Sequence, residues 1–96
     1  MPRLSIPVLL RPLVDGQRAV DLPGETVRDV LDALVARYPG VKDRIFDDEG
    51  RIDLSLAVAV DGEVETHPLS YRVKPDSEMS IIPAIGGGAG EERPSP

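Results

Sequence analysis

The feature that most constrains this sequence is one amphipathic helix carrying its own start and stop signals. Val27, Val30, Leu31, Leu34, Val35 and Tyr38 recur at helical spacing and form a single apolar stripe. Thr26 precedes the stripe as an N-cap, and Asp29 stands three residues on, a weaker form of the capping-box acid. Pro39-Gly40 ends it. Glu25 and Asp29 near the start and Arg37 near the end complement the helix dipole. A helix with one apolar face must bury that face against another layer.

The rest of the chain reads mainly as strands. In residues 3–10, Leu4, Ile6, Val8 and Leu10 alternate onto one side, the period of a half-buried strand. Pro7 cannot donate to a ladder and calls for an edge or a bulge. Asp15-Gly16 supplies a turn and residues 17–22 return, so the first 22 residues read as a hairpin. Residues 41–46 predict one further helical turn anchored by Val41, Ile45 and Phe46. Leu54, Leu56, Val58 and Val60 alternate again, and Asp61-Gly62 predicts a tight hairpin into Glu63-Val64. Residues 67–75 are irregular, with Pro68 and Pro75, and residues 78–82 read as a last strand. A mixed sheet with the main helix on one face satisfies both the stripe and the alternation. The first and last strands then lie adjacent and parallel at its centre, and the right-handed crossover rule places the helix. This is an α+β chain of β-grasp, or ubiquitin-like, arrangement.

Ninety-six residues make one domain with a modest core. The expected division is a β-grasp domain over 1–85 and a flexible Gly-rich tail over 86–96, where no residue beyond Ala89 suits a core. Asp and Glu number 17 against 11 Lys and Arg, a net charge of −6. That balance argues against nucleic acid or an anionic membrane as the main partner. The absence of cysteine excludes disulfides, thiolate metal sites and cysteine nucleophiles. No apolar run is long enough to span a bilayer and no signal-peptide pattern opens the sequence, so a cytoplasmic protein is expected.

No catalytic constellation is visible, and no enzyme activity, catalytic residue or metal site is expected. His67 stands alone beside Pro68 and reads as a solvated loop residue. Asp47, Asp48, Glu49 and Asp53 form an acidic cluster, but aligning Gly50 with the turn glycine of a calcium loop puts Ile45 and Leu56 at ligand positions. The glycine run at residues 86–88 leads into Glu91-Glu92-Arg93-Pro94, not into a helix with Lys-Ser/Thr, so it is a poor phosphate loop. It reads either as a floppy linker or as a functional arm. Glycines can lie extended in a channel where any side chain would clash. A terminal glycine also offers an unhindered carboxyl that an ATP-dependent enzyme can activate as an acyl-adenylate.

With those residues in place, the sequence resembles the ubiquitin-like sulfur carriers of the MoaD and ThiS type, most closely the CysO-type branch that serves cysteine biosynthesis. The resemblance runs from Ser5 to Gly88. It is carried by Ser5-Ile6-Pro7 with Leu10-Arg11-Pro12, Gly16-Gln17, Gly24 with Thr26, Tyr38 with Gly40, and Ile81-Ile82-Pro83-Ala84-Ile85-Gly86-Gly87-Gly88. It implies that an E1-like enzyme uses ATP to adenylate the terminal glycine carboxylate. Sulfur, often delivered as a persulfide, then displaces AMP and leaves a thiocarboxylate. No cofactor is bound by the carrier itself. In the CysO-type branch the thiocarboxylate serves a pyridoxal-phosphate cysteine synthase using O-phosphoserine, and a JAMM-type zinc metallopeptidase releases the cysteine. Such carriers also feed secondary-metabolite enzymes, such as those making thiosugars.

The family usually ends at Gly-Gly, whereas residues 89–96 follow Gly88 here. The resemblance therefore implies a proform with a processing site at Gly88–Ala89, a removable extension over 89–96 and a sulfur-carrying end at Gly87-Gly88. Gly86 makes a cut one residue earlier conceivable. An acidic carrier suits a basic rim on its partners. Leu9 and Ile82 fall out of phase with their strands' buried residues and are candidate docking residues, with Pro83, Ile85 and Gly86 completing the expected surface. Two other classes stay open: a protein modifier conjugated through Gly88, and a β-grasp interaction module.

Overall fold

In the computed structural model, which describes residues 1–84, the elements follow one another in a simple order. They are β1 (Arg3–Ser5), a 3₁₀ helix (Val8–Val14), β2 (Ala19–Asp21), α1 (Val27–Arg37), a 3₁₀ turn (Pro39–Val41), α2 (Lys42–Ile45), β3 (Leu56–Val60), β4 (Glu63–Val64), a second 3₁₀ turn (Pro68–Ser70) and β5 (Glu78–Pro83). The five strands form one sheet in the order β2-β1-β5-β3-β4. β1 and β5 pair in parallel with Leu4 opposite Met79, and every other pair is antiparallel. The expected β-grasp topology is therefore the observed one.

Strand alternation puts Leu4, Val20, Val58, Val60, Met79 and Ile81 on one face, and all are buried. α1 covers that face with Val27, Val30, Leu31 and Leu34. The predicted extra turn is present: Val41 and Ile45 are buried and Phe46 packs partly against the core.

The start of α1 is built from a reciprocal pair of bonds. Asp29 N–H donates to Thr26 Oγ1 at 3.2 Å, while Asp29 Oδ2 accepts from Thr26 N–H and Glu25 N–H, each at 3.2 Å. The shorter Asp thus completes the capping box. Val27 N–H donates to the Tyr71 carbonyl and Val73 N–H to the Glu25 carbonyl, both at 2.9 Å. The helix start is thereby tied to the segment that leads into β5. Gly24 makes the approach possible: a Cβ there would lie 2.8 Å from Asp29 Cβ, Val30 Cγ2 and Val30 N.

The β3–β4 turn is the expected Asp61-Gly62 pair, with φ of 50° and 90°. Asp61 also clamps the start of β5. Its Oδ1 accepts from Glu78 N–H at 2.9 Å and its Oδ2 from the buried Ser77 hydroxyl at 3.2 Å.

Three strands are shorter than the sequence predicts: β2 spans Ala19–Asp21 and not residues 17–22, because Gln17 N–H is taken by the Val14 carbonyl in the preceding turn, and β1 and β3 are cut short as well. β1 stops at Ser5, because the last ladder bond on that side, Ile6 N–H to the Arg18 carbonyl, is followed by Pro7, which has no donor. β1 has neighbours on both sides, so the chain leaves the sheet and winds into the 3₁₀ helix. Leu10 stays buried by that winding, while Val8 is 71% exposed. β3 begins at Leu56, not at Leu54, which is 93% exposed. There the Asp53 side chain captures the Ser55 N–H and hydroxyl, and the local turn displaces the strand.

Gly24→Ala should lower stability by about 1–3 kcal/mol through overpacking, and Thr26→Ala by about 1 kcal/mol through loss of the cap. Urea denaturation reads both. An unchanged Gly24→Ala midpoint would show that the helix start yields without cost.

Candidate functional site

The region of interest is the exit from β5, the last described strand, after which the sequence runs into its glycines. Pro83 lies opposite Leu56 in the register with β3. One residue further, Ala84 N–H donates to the Ser55 carbonyl at 2.7 Å. Ser55 is held by Asp53: the Asp53 Oδ1 accepts from Ser55 N–H at 2.9 Å and from the Ser55 hydroxyl at 2.6 Å. Asp53 N–H donates to the Ile45 carbonyl at 2.8 Å, and Leu56 N–H to the Asp53 carbonyl at 2.9 Å. These bonds connect the last hydrogen-bonded residue of the described chain to α2. The hydrogen bond from the Ser55 hydroxyl, with that from its N–H, holds the Asp53 carboxyl below its ordinary titration range.

Beside this exit lies an open groove of about 470 Å³, lined by Pro7, Val8, Leu9, Arg11, Ile82 and Pro83 among others. The winding that follows Pro7 turns Val8 and Leu9 outward while burying Leu10 and Val14. Leu9 is 59% exposed, and Ile82, on the sheet face away from α1, is 37% exposed. Among the described residues, Arg11 is the one charged residue lining the groove. Its Nε donates to the Ile6 carbonyl at 3.0 Å, which holds the side chain along the wall.

The structure thus brings Leu9, Ile82 and Pro83 together. Ile85, Gly86, Gly87, Gly88 and Ala89, together with the rest of the tail, lie outside the described residues. Sequence reasoning missed Val8 and Arg11 on the groove, and Asp53 and Ser55 behind the exit. Pro7 was the available signal for the first pair, because it ends the strand that placed Val8 inward. The Asp-x-Ser spacing at residues 53–55 was the signal for the second.

The other features singled out in the sequence serve local structure. Asp47 Oδ1 accepts from Glu49 N–H at 2.8 Å and Arg51 N–H at 3.0 Å, and the Arg51 side chain pairs with Asp47 and Glu49. The Arg51 N–H bond is the chief cause that holds the Asp47 carboxyl below its usual range. Among the described residues no group of three His, Cys, Asp or Glu converges on a metal-sized site, and no helix is long and apolar enough to cross a membrane. His67 is exposed at the start of the second 3₁₀ turn.

Residues 5–88 match the model of the ThiS family. The chain belongs to the ThiS family. The matched span ends on Gly88, the last residue of the glycine run. Sulfur carrier protein CysO of Mycobacterium tuberculosis is 30% identical over 89 residues, covering 88% of this ThiS-family chain and 96% of the relative. Small archaeal modifier protein 1 of Haloferax volcanii is 35% identical over 78 residues, covering 78% of this chain and 87% of that protein. A chain of the crystallised BexX/CysO complex of Amycolatopsis orientalis superposes with a TM-score of 0.82 at 30% identity, over 92% of this chain and 100% of its own length.

The depressed Asp53 titration has a measurable consequence. A group whose folded pKa lies below its unfolded value supports the fold above the unfolded value and ceases to do so as pH falls through the folded one. The Ser55 amide resonance should therefore titrate with a midpoint below that of an unperturbed aspartate. In Ser55→Ala, which removes the hydroxyl, the Asp53 carboxyl should titrate closer to the ordinary value. An identical midpoint in both proteins would exclude the Ser55 hydroxyl as the cause.

Proposed function

We propose that this chain is a sulfur carrier whose reactive group is the Gly88 carboxylate, exposed when residues 89–96 are removed. The observation that carries the reading is the family match through Gly88, taken with a last strand that ends beside an exposed apolar groove. The domain that docks is residues 1–85, and the arm that reacts begins at residue 86. A peptidase, of the JAMM metallopeptidase type, cuts Gly88–Ala89. An E1-like enzyme then joins the Gly88 carboxylate to AMP from ATP with loss of pyrophosphate. A persulfide displaces AMP to give an acyl disulfide, and a thiolate then attacks the outer sulfur, forming a disulfide and releasing Gly88–C(O)S⁻. The carrier supplies no catalytic group and binds no cofactor: it presents an unhindered carbonyl on a run of residues without Cβ atoms. The acceptor is a pyridoxal-phosphate cysteine synthase, with secondary-metabolite enzymes such as those making thiosugars as a further outlet. All of this takes place in the cytoplasm.

Docking falls to the groove. Val8, Leu9, Ile82 and Pro83 offer apolar area beside the exit, with Ile85 and Gly86 continuing from it, while the net acidic body steers toward basic partner surfaces. The likeness to Small archaeal modifier protein 1 favours one second reading, in which activated Gly88 is joined to lysines of other proteins. Both readings use the same activation and differ in the nucleophile that follows.

Intact mass spectrometry in host extract with ATP and a sulfur source tests the carrier. The expected result is loss of residues 89–96, followed by the increment for one oxygen replaced by sulfur. Persistence of the full-length mass in a competent extract would reject the carrier and leave an interaction module, and conjugates of higher mass would favour the modifier. Gly88→Ala should strongly reduce conversion. Leu9→Asp should slow it by raising the carrier concentration needed for half-maximal rate, while stability stays within about 0.5 kcal/mol of wild type, as is usual for exposed positions. Unchanged kinetics in Leu9→Asp would remove the groove from docking.

A further inference from the structure

We infer that Asp53 is a positioning residue that fixes the origin of the reactive arm. The inference rests on the carrier reading above and concerns how the last described residue before the arm is held. Among the described residues, the last backbone bond at the end of β5 is Ala84 N–H to the Ser55 carbonyl at 2.7 Å. Donors toward β3 alternate along the strand, so the next one back is Ile82, opposite Ala57. Among the described residues, one hydrogen bond therefore holds the chain that leads into the arm, and without it the nearest hold on β3 lies two residues back, at Ile82.

That difference is large on the scale of the arm. The four residues from the held Ala84 to Gly88 span at most roughly 14 Å when fully extended. Release of Ala84 and Pro83 adds two residues, roughly 7 Å of loose chain. A longer, looser arm loses the restriction that presents its carbonyl at one distance from the docking groove, and positional errors of this size are costly for transfer reactions.

The Ser55 carbonyl that holds Ala84 is aimed by Asp53. Two bonds run from Ser55 to Asp53 Oδ1, and one runs from Leu56 N–H to the Asp53 carbonyl. Asp53 is itself bonded to the carbonyl of Ile45, whose side chain is buried in the core. The arm's origin is thus referred to the core through one aspartate. Asp53 lies on neither the groove nor the arm, so its action is indirect.

The test compares the full chain carrying Asp53→Ala with wild type and with Asp53→Asn, whose side-chain oxygen accepts the same bonds. Amide hydrogen exchange at Ala84 should accelerate roughly tenfold or more in Asp53→Ala, since bonds to a charged acceptor are lost. Ile81, inside the sheet, should keep its protection. Asp53→Asn should stay close to wild type. In host extract with ATP and a sulfur source, Asp53→Ala should lower the maximal rate of thiocarboxylate formation with little change in the half-saturating carrier concentration. That is the opposite split from Leu9→Asp, and Asp53→Asn should restore the rate. Unchanged exchange at Ala84 overturns the inference. Faster exchange with an unchanged maximal rate overturns the positioning role. If wild type itself is never converted, the carrier reading fails, and exchange at Ala84 alone decides whether Asp53 holds the strand end.

Discussion

The parallel pairing of β1 with β5 is the contact on which the rest of this structure depends. It joins the two ends of the described chain at the middle of the sheet, with Leu4 set against Met79. Parallel neighbours cannot be joined by a tight turn, so everything between them must cross over. The crossover contains α1, whose single stripe finds its cover on the face shared by Leu4, Val58 and Ile81. Parallel pairing also sets both strands running the same way. The segment after β1, with Pro7, Val8 and Leu9, therefore comes to lie beside the end of β5. The groove and the exit are neighbours because of this one register.

Most of the architecture was legible in the sequence, for identifiable reasons. α1 could be read because its start, stripe and stop are all local signals that agree: Thr26 with Asp29, the 3.6-residue spacing, and Pro39-Gly40. The Asp61-Gly62 turn was equally plain, since φ is positive at both positions and Asp-Gly suits that geometry. The strands were overextended where a short-range competitor wins. Alternation at Val8 and Leu10 continued the pattern of β1, but Pro7 had already removed the donor a strand flanked on both sides needs. Leu54 fell in phase with β3, but Asp53 bound the backbone two residues on. Period-two counting sees neither effect.

The candidate site was legible in part. Leu9 and Ile82 stood out as apolar residues on the wrong phase, and the structure sets them on one groove. Val8 was hidden because the extended strand assignment placed it inside. Arg11 was hidden because its role comes from a bond to the Ile6 carbonyl, which only the 3₁₀ winding creates. The glycines gained meaning from their place after the last strand, a matter of topology more than of composition.

The sheet's outer strands carry a consequence of their own. β2 has three residues and β4 two, so each free edge offers few unpaired backbone groups. Long exposed edges invite a second chain to add itself as another strand, and short ones give it little to grip. Arg3 and Asp21 add an ion pair on the β1–β2 side. A body of this kind gives its own copies little edge to pair with, while its open face stays available.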